Sequence, residues 1–214
     1  MLKSLPPGPE HHTLVADFAR PAELQAAVAK HLAAAGPAHI LVNNTGGPAS
    51  GPIVDAKPDD FLSAMQMHVV CNQLLVQTVV PGMKQAGYGR IINIISTSVR
   101  EPIPGLGVSN TTRWAVAAWA KTLSRELAPF GITVNNVLPG FTDTARLRAL
   151  FEARAKREGR TPQQVAEETM KAVPAGRFGR PEEIAAAVAF LASPEASYVN
   201  GINLPVDGGR LGSM

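Results

Sequence analysis

The stretch GRIINIISTSVREPIPGLGVSNTTR, residues 89–113, decides the fold. From Arg90 to Ile95 it is an apolar run rich in isoleucine, the pattern of a strand buried on both faces. The run ends in a hydroxyl cluster, Ser96, Thr97 and Ser98, and Pro102, Pro104, Gly105 and Gly107 then punctuate a loop. A helical pattern begins near Ser109. Strand, polar tip, loop and helix in this order bring a few side chains to the carboxyl edge of a parallel sheet, where open α/β folds bind ligands.

Working outward, HTLVADF reads as a short strand at 13–17, and residues 1–12, rich in Pro, Gly and His, as a loop or frayed end. Pro21 opens an amphipathic helix that Gly36 stops. HILVNN is a second buried strand, and TGGPASGP after it is a glycine and proline loop. A long helix runs from Pro58, with Pro81 as a bend or stop. On the other side, the helix from about Ser109 to Pro129 precedes the strand ITVNNVL, with Gly131 as terminator. Two helices fill 142–180, one from Thr144 to about Glu158 and one opened by Thr161, Pro162 and Gln164 in a capping box. Pro181 opens a last helix, and INLPVD is the last strand. Alternating strands and helices mean a parallel sheet covered on both faces.

Bulk properties narrow the function. A chain of 214 residues with 45% apolar and 17% charged residues forms one globular domain rather than a disordered or coiled segment. The formal charge of +3 is mild, and the one basic concentration, Arg146 to Arg160, also holds Glu152 and Glu158, which makes it a solvated helix face. Neither a nucleic-acid footprint nor a membrane span is expected, and no metal site is evident. The single cysteine, Cys71, suits a reducing cytoplasm and core packing.

Five segments together resemble the short-chain dehydrogenase/reductase family over essentially the whole chain. They are LVNNTG at 41–46, GRIINIIS at 89–96, ELAPFGITVNNVLPG at 126–140, RFGRPEEIAAAVAFLAS at 177–193 and YVNGINLPVDGG at 198–209. The resemblance implies a doubly wound, Rossmann-like, mostly parallel sheet with helices on both faces, and NAD or NADP as cofactor. It implies Ser96 as the catalytic serine, Asn44 and Gly46 in the turn beside the cofactor, and Asp17 at the adenine. Pro139 and Gly140 would lie under the nicotinamide, with Thr144 at its carboxamide, and 142–180 would be a substrate lid bearing Leu147, Leu150 and Phe151. Association into a homodimer or homotetramer through helices 58–86 and 109–129 is also implied.

Two departures stand out. The family's glycine-rich phosphate turn and first two strands have no counterpart, and Gly46 and Gly47 precede no helix at the distance a phosphate cradle needs. In the family's strand order a strand at 13–17 would then lie about 14 Å from strand 39–43, too far for a backbone hydrogen bond. Either the two strands move together, another chain fills the gap, or the start is internal to a longer natural protein. The second departure is chemical: the family's Tyr-x-x-x-Lys pair aligns with Ser109 and Arg113. Serine is a far weaker acid than a phenol, while the Arg113 fork suits ribose hydroxyls. His68 falls where the family has an asparagine in a proton relay, so it is either a proton-transfer group or a core histidine. Ser96 is either a carbonyl ligand or a strand-end cap. Two functions follow: an NAD(P)-dependent oxidoreductase acting on a small carbonyl or alcohol, or a catalytically silent binding and scaffold protein.

Overall fold

The computed structural model describes residues 11–212. The expected frayed end therefore lies mostly outside the described residues. Four parallel strands stand side by side in chain order: β1 (Ile40–Asn43), β2 (Gly89–Ile94), β3 (Ile132–Pro139) and β4 (Asn203–Val206). The helices are α1 (Pro21–Ala35), α2 (Pro58–Met65), α3 (Cys71–Ala86), α4 (Gly107–Leu127), α5 (Ala145–Glu158), α6 (Pro162–Lys171) and α7 (Pro181–Ala192).

Alternation along the strands separates two apolar layers. Ile91 and Val134 face one side, where Val76, Val79 and Met83 of α3 and Ala120 and Leu127 of α4 cover them. Ile92 and Val137 face the other side and meet Leu191 of α7. Burying each such side chain contributes about 1.5–3 kcal/mol. The chain steps in one lateral direction from β1 to β4, yet it crosses by α3 and α4 on one face and by α7 on the other. The three crossovers therefore cannot all share the usual right hand.

Register is fixed by a row of amides on the α3 and α4 face. Asn43 donates to Asn93 at 2.8 Å, Asn93 to Asn136 at 2.9 Å, and Asn136 to Asn203 at 2.8 Å. These residues are the Cα partners of the three strand pairings. A slip of one residue would break every rung of this row and exchange the side chains of the two layers. At the β1 end, Asn43 Oδ1 is buried without a partner among the described residues.

Most helix limits follow the sequence. Gly36 and Gly131 end their elements at φ +89° and +72°. Thr161 Oγ1 accepts from the Gln164 amide at 3.2 Å, and Gln164 Oε1 accepts from the Thr161 amide at 3.0 Å, completing the capping box.

Three details differ. Residues 13–17 form no strand. With no neighbouring ladder to join, the segment instead seats Ala16 and Phe18 on Leu24, Cys71 and Leu75, and leaves Val15 exposed. Cys71 is buried there, its Sγ 3.3 Å from the Phe18 carbonyl, and burial pushes the thiol pKa up. Second, Pro81 does not stop α3, which continues to Ala86 because packing of Val79 and Met83 outweighs one lost backbone bond. Third, a π-helical turn at Gln66–Val70 joins α2 to α3.

Candidate active site

The carboxyl ends of β1, β2 and β3 open into a cleft of about 570 Å³. The loop after β1 contributes Asn44, Thr45 and Gly46, and β2 runs directly into Ser96. One face of α4 contributes Ser109 and Arg113, one turn apart. Pro139 and Gly140 close β3, and Thr144 and Leu147 lie where α5 begins.

Ser96 Oγ accepts the Ser98 amide at 3.0 Å, so the capping role exists; its hydroxyl proton remains available to the cleft. The Ser109 hydroxyl has no partner among the described residues. Arg113, 8% exposed, donates from Nη1 to the Ile94 carbonyl at 2.9 Å and so ties α4 to the end of β2. Burial, and then the nearby Arg146 charge, pull its pKa down to about 10. Gly140 is required by its neighbour, since a Cβ there would come within 2.6 Å of Asp207 Cα. Thr144 is the N-cap of α5, accepting the Leu147 amide at 3.3 Å.

Two sequence candidates lie elsewhere. Asp17 is exposed in the turn before α1, where its carboxylate accepts the Ala19 amide at 2.8 Å. His68 sits in the π-helical turn and lines a separate cavity of about 400 Å³ between α2 and the amino end of α4. It is 2% exposed; Nδ1 is 2.6 Å from Thr45 Oγ1, and Nε2 has no partner among the described residues. Burial first, then the Arg113 charge, lower its pKa to about 4, against a raising contribution from the Gly46 backbone. At neutral pH the ring is uncharged. Thr45 leaves it one hydrogen bond from the cleft.

Reading the sequence missed Thr45, Arg146 and Arg210, all of which line the cleft. Thr45 stands between two named candidates, which was the available signal. Arg146 opens the stretch assigned to solvent, yet Nη2 donates to the Pro48 carbonyl across the cleft mouth. Arg210 Nη1 donates to Thr97 Oγ1 at 3.1 Å. No phenol reaches the site among the described residues: the Tyr88 hydroxyl donates to the Ala192 carbonyl at 3.0 Å, and Tyr198 is fully exposed.

Residues 3–210 match the family described as "Enoyl-(Acyl carrier protein) reductase". The chain belongs to the short-chain dehydrogenase/reductase family. It is 39% identical over 172 residues to the 3-oxoacyl-(acyl-carrier-protein) reductase FabG of Vibrio cholerae serotype O1, covering 79% of this chain and 65% of that one. This member thus spans just under two thirds of that relative's length. Among solved structures, YwfH, an NADPH-dependent reductase involved in bacilysin biosynthesis, superposes with a TM-score of 0.87 at 31% identity, covering 94% of this chain and 78% of that one. The L-sorbose reductase of Gluconobacter frateurii, solved with NADPH and L-sorbose, gives 0.86 at 30% identity, covering 94% and 77%. No helix among the described residues is long and apolar enough to cross a membrane, and none of their His, Cys, Asp and Glu side chains cluster as a metal site.

Proposed function

We propose that this family member is an NAD(P)-dependent oxidoreductase acting on a small carbonyl compound or alcohol. The observation that carries the reading is the convergence of Ser96, Ser109, Arg113, Pro139, Gly140 and Thr144 on one cleft at the sheet's carboxyl edge. The fit to the cofactor is divided. The cleft has room and donors for the nicotinamide riboside end, with the Arg113 fork toward ribose hydroxyls. No glycine-rich turn leading into a helix grips a diphosphate among the described residues.

When bound, the nicotinamide supplies or accepts the hydride. The chain's own part is to orient and to move a proton. Ser96 donates its hydroxyl to the substrate oxygen, while Ser109 stands free to exchange a proton with that oxygen. Thr45 links the cleft to His68, whose neutral ring can relay a proton only by taking one up at one nitrogen as it gives up the N–H of the other. α5 and α6 pack on each other through Leu147, Phe151, Ala155 and Val165 and act as the lid over the substrate. Exposed Leu62 of α2, Val70 of the π-helical turn and Trp114 of α4 support a dimer or tetramer through the long helices. A cytoplasmic location fits this chemistry.

The absence of a phenol from the cleft favours a second reading, a binding or scaffold protein without turnover. Fluorescence titration with NADH and NADPH separates the two. Saturable micromolar binding, with turnover of a carbonyl panel that falls in Ser96→Ala, supports the oxidoreductase. No binding up to millimolar concentration refutes it.

A further inference from the structure

The cleft carries an unbalanced charge. Arg113, Arg146 and Arg210 line it, and no Asp or Glu among the described residues does. None of the three forms an ion pair among the described residues, and their bonds go to neutral groups: the Ile94 carbonyl, the Pro48 carbonyl and the Thr97 hydroxyl. Buried Arg90 has no carboxylate either, but it spreads its donors over the Ser193, Gly89 and Gly131 carbonyls, and several surface arginines are ion-paired. Arg154 and Arg160 share Glu158 and Glu168, Arg177 holds Glu183, and Arg148 holds Asp143. The contrast is sharpest at Arg113, which is 8% exposed and has a single carbonyl partner among the described residues for a fork of five N–H donors. A buried cation without a counter-charge is costly unless something supplies one. The repulsion is felt locally, since the Arg146 charge depresses the basicity of Arg113 and the Arg113 charge that of His68. Apolar Ile103, Leu106 and Leu150 line the rest of the cavity.

We infer that the cleft binds an anionic group, a carboxylate or a phosphoryl, seated among Arg113, Arg146 and Arg210, so that its ligand is an acidic rather than a neutral molecule. Assigning this group to a substrate rests on the oxidoreductase reading; the anion site itself does not. Planar forks suit both anions, since each offers paired oxygens. A single-sign cleft also raises the local concentration of anions and speeds their entry at low ionic strength.

The test uses the whole chain with malonate and with inorganic phosphate as probes and uncharged dimethyl malonate as control, read by calorimetry and thermal shift. Malonate or phosphate is expected to bind saturably and to raise the melting temperature, with dimethyl malonate inert. Arg146→Gln, an exposed position that leaves folding intact, is expected to weaken the anion by about tenfold, the loss of one charge-assisted hydrogen bond. Arg125→Gln, twelve residues beyond Arg113 on α4, is expected to change nothing. Equal binding of malonate and dimethyl malonate, or an Arg146→Gln variant that binds like the parent, overturns the inference. Adding NADPH identifies the source of the anion: competition with malonate assigns the arginines to a cofactor phosphate, and independent binding assigns them to the substrate. Malonate binding without any NADH or NADPH binding leaves the anion site standing and removes the oxidoreductase reading. Carbonyl reduction with no anion binding does the reverse.

Discussion

Replacing Asn93 with leucine, which is close to it in size, removes the second rung of the amide row. Asn93 is 1% exposed, accepts from Asn43 and donates to Asn136. The variant leaves Asn43 Nδ2 without an acceptor and Asn136 Oδ1 without a donor, both buried. Each stranded group costs about 1–3 kcal/mol, and the added apolar burial returns about 1 kcal/mol, so the net loss is about 3 kcal/mol. For a chain of this size that lowers Tm by about 6–12 °C. Asn203→Leu is the internal comparison, because Asn203 ends the row, is half-buried and strands only Asn136 Nδ2. Its cost is about 1 kcal/mol. The double variant Asn93→Leu with Asn136→Leu is less destabilised than the sum of its parts by about 1–2 kcal/mol, since two of the stranded groups are removed together. Urea unfolding followed by far-ultraviolet circular dichroism measures the parent, the three single variants including Asn136→Leu, and the double variant. Equal costs at 93 and 203, or strict additivity in the double variant, would refute the idea that the amides act as a connected row.

His68 gives a pH signature. Its pKa is lowered to about 4 from an ordinary 6.5, so between those values the unfolded chain binds a proton that the folded chain does not, and stability falls as pH drops from about 6.5 to about 4. The contribution is about 3 kcal/mol, and His68→Leu should flatten that part of the stability profile; an acid limb as steep as the parent's would exclude His68 as its source. Arg90→Met removes a guanidinium that donates to the carbonyls of Gly89, Gly131 and Ser193 and lies 4.3 Å over the Tyr88 ring. A loss of about 3 kcal/mol by urea unfolding is expected, and a neutral result would mean that water replaces those donors. Gly131→Ala should cost about 2 kcal/mol or more, because φ is +72° and the new Cβ would run into the Gly87 carbonyl; a Tm within a degree of the parent's would show that the turn rearranges freely.

The strands, the helix limits and the place of the cleft were readable because they rest on local signals. Ile91 to Ile95 announces a buried strand, Thr161 with Gln164 a helix start, and Gly131 a stop. What escaped depends on distant pairings. The segment 13–17 has strand-like residues, yet a strand exists only if another lies beside it. The four asparagines of the amide row are separated by up to sixty-seven residues, and only the strand register makes them neighbours. His68 is buried, but the cavity it lines follows from the packing of α2 against α4. Arg146 read as solvent-facing because its helix is polar, while the loop from Asn44 to Pro48, which it spans, is brought near only by the fold. Ser96 turned out to cap Ser98 and to face the cleft at once, so neither alternative excluded the other.

The lateral order of the strands bears on how the molecule can be made. As a ribosome delivers β2, its only earlier neighbour, β1, is already outside; the same holds for β3 and then for β4. Each new segment joins an exposed flank, and none has to be threaded between two strands already joined. A nascent chain arrested after Pro139 should therefore already protect β1 and β2 amides from hydrogen exchange, and synthesis can pause there without leaving a vacant slot in the middle of the sheet.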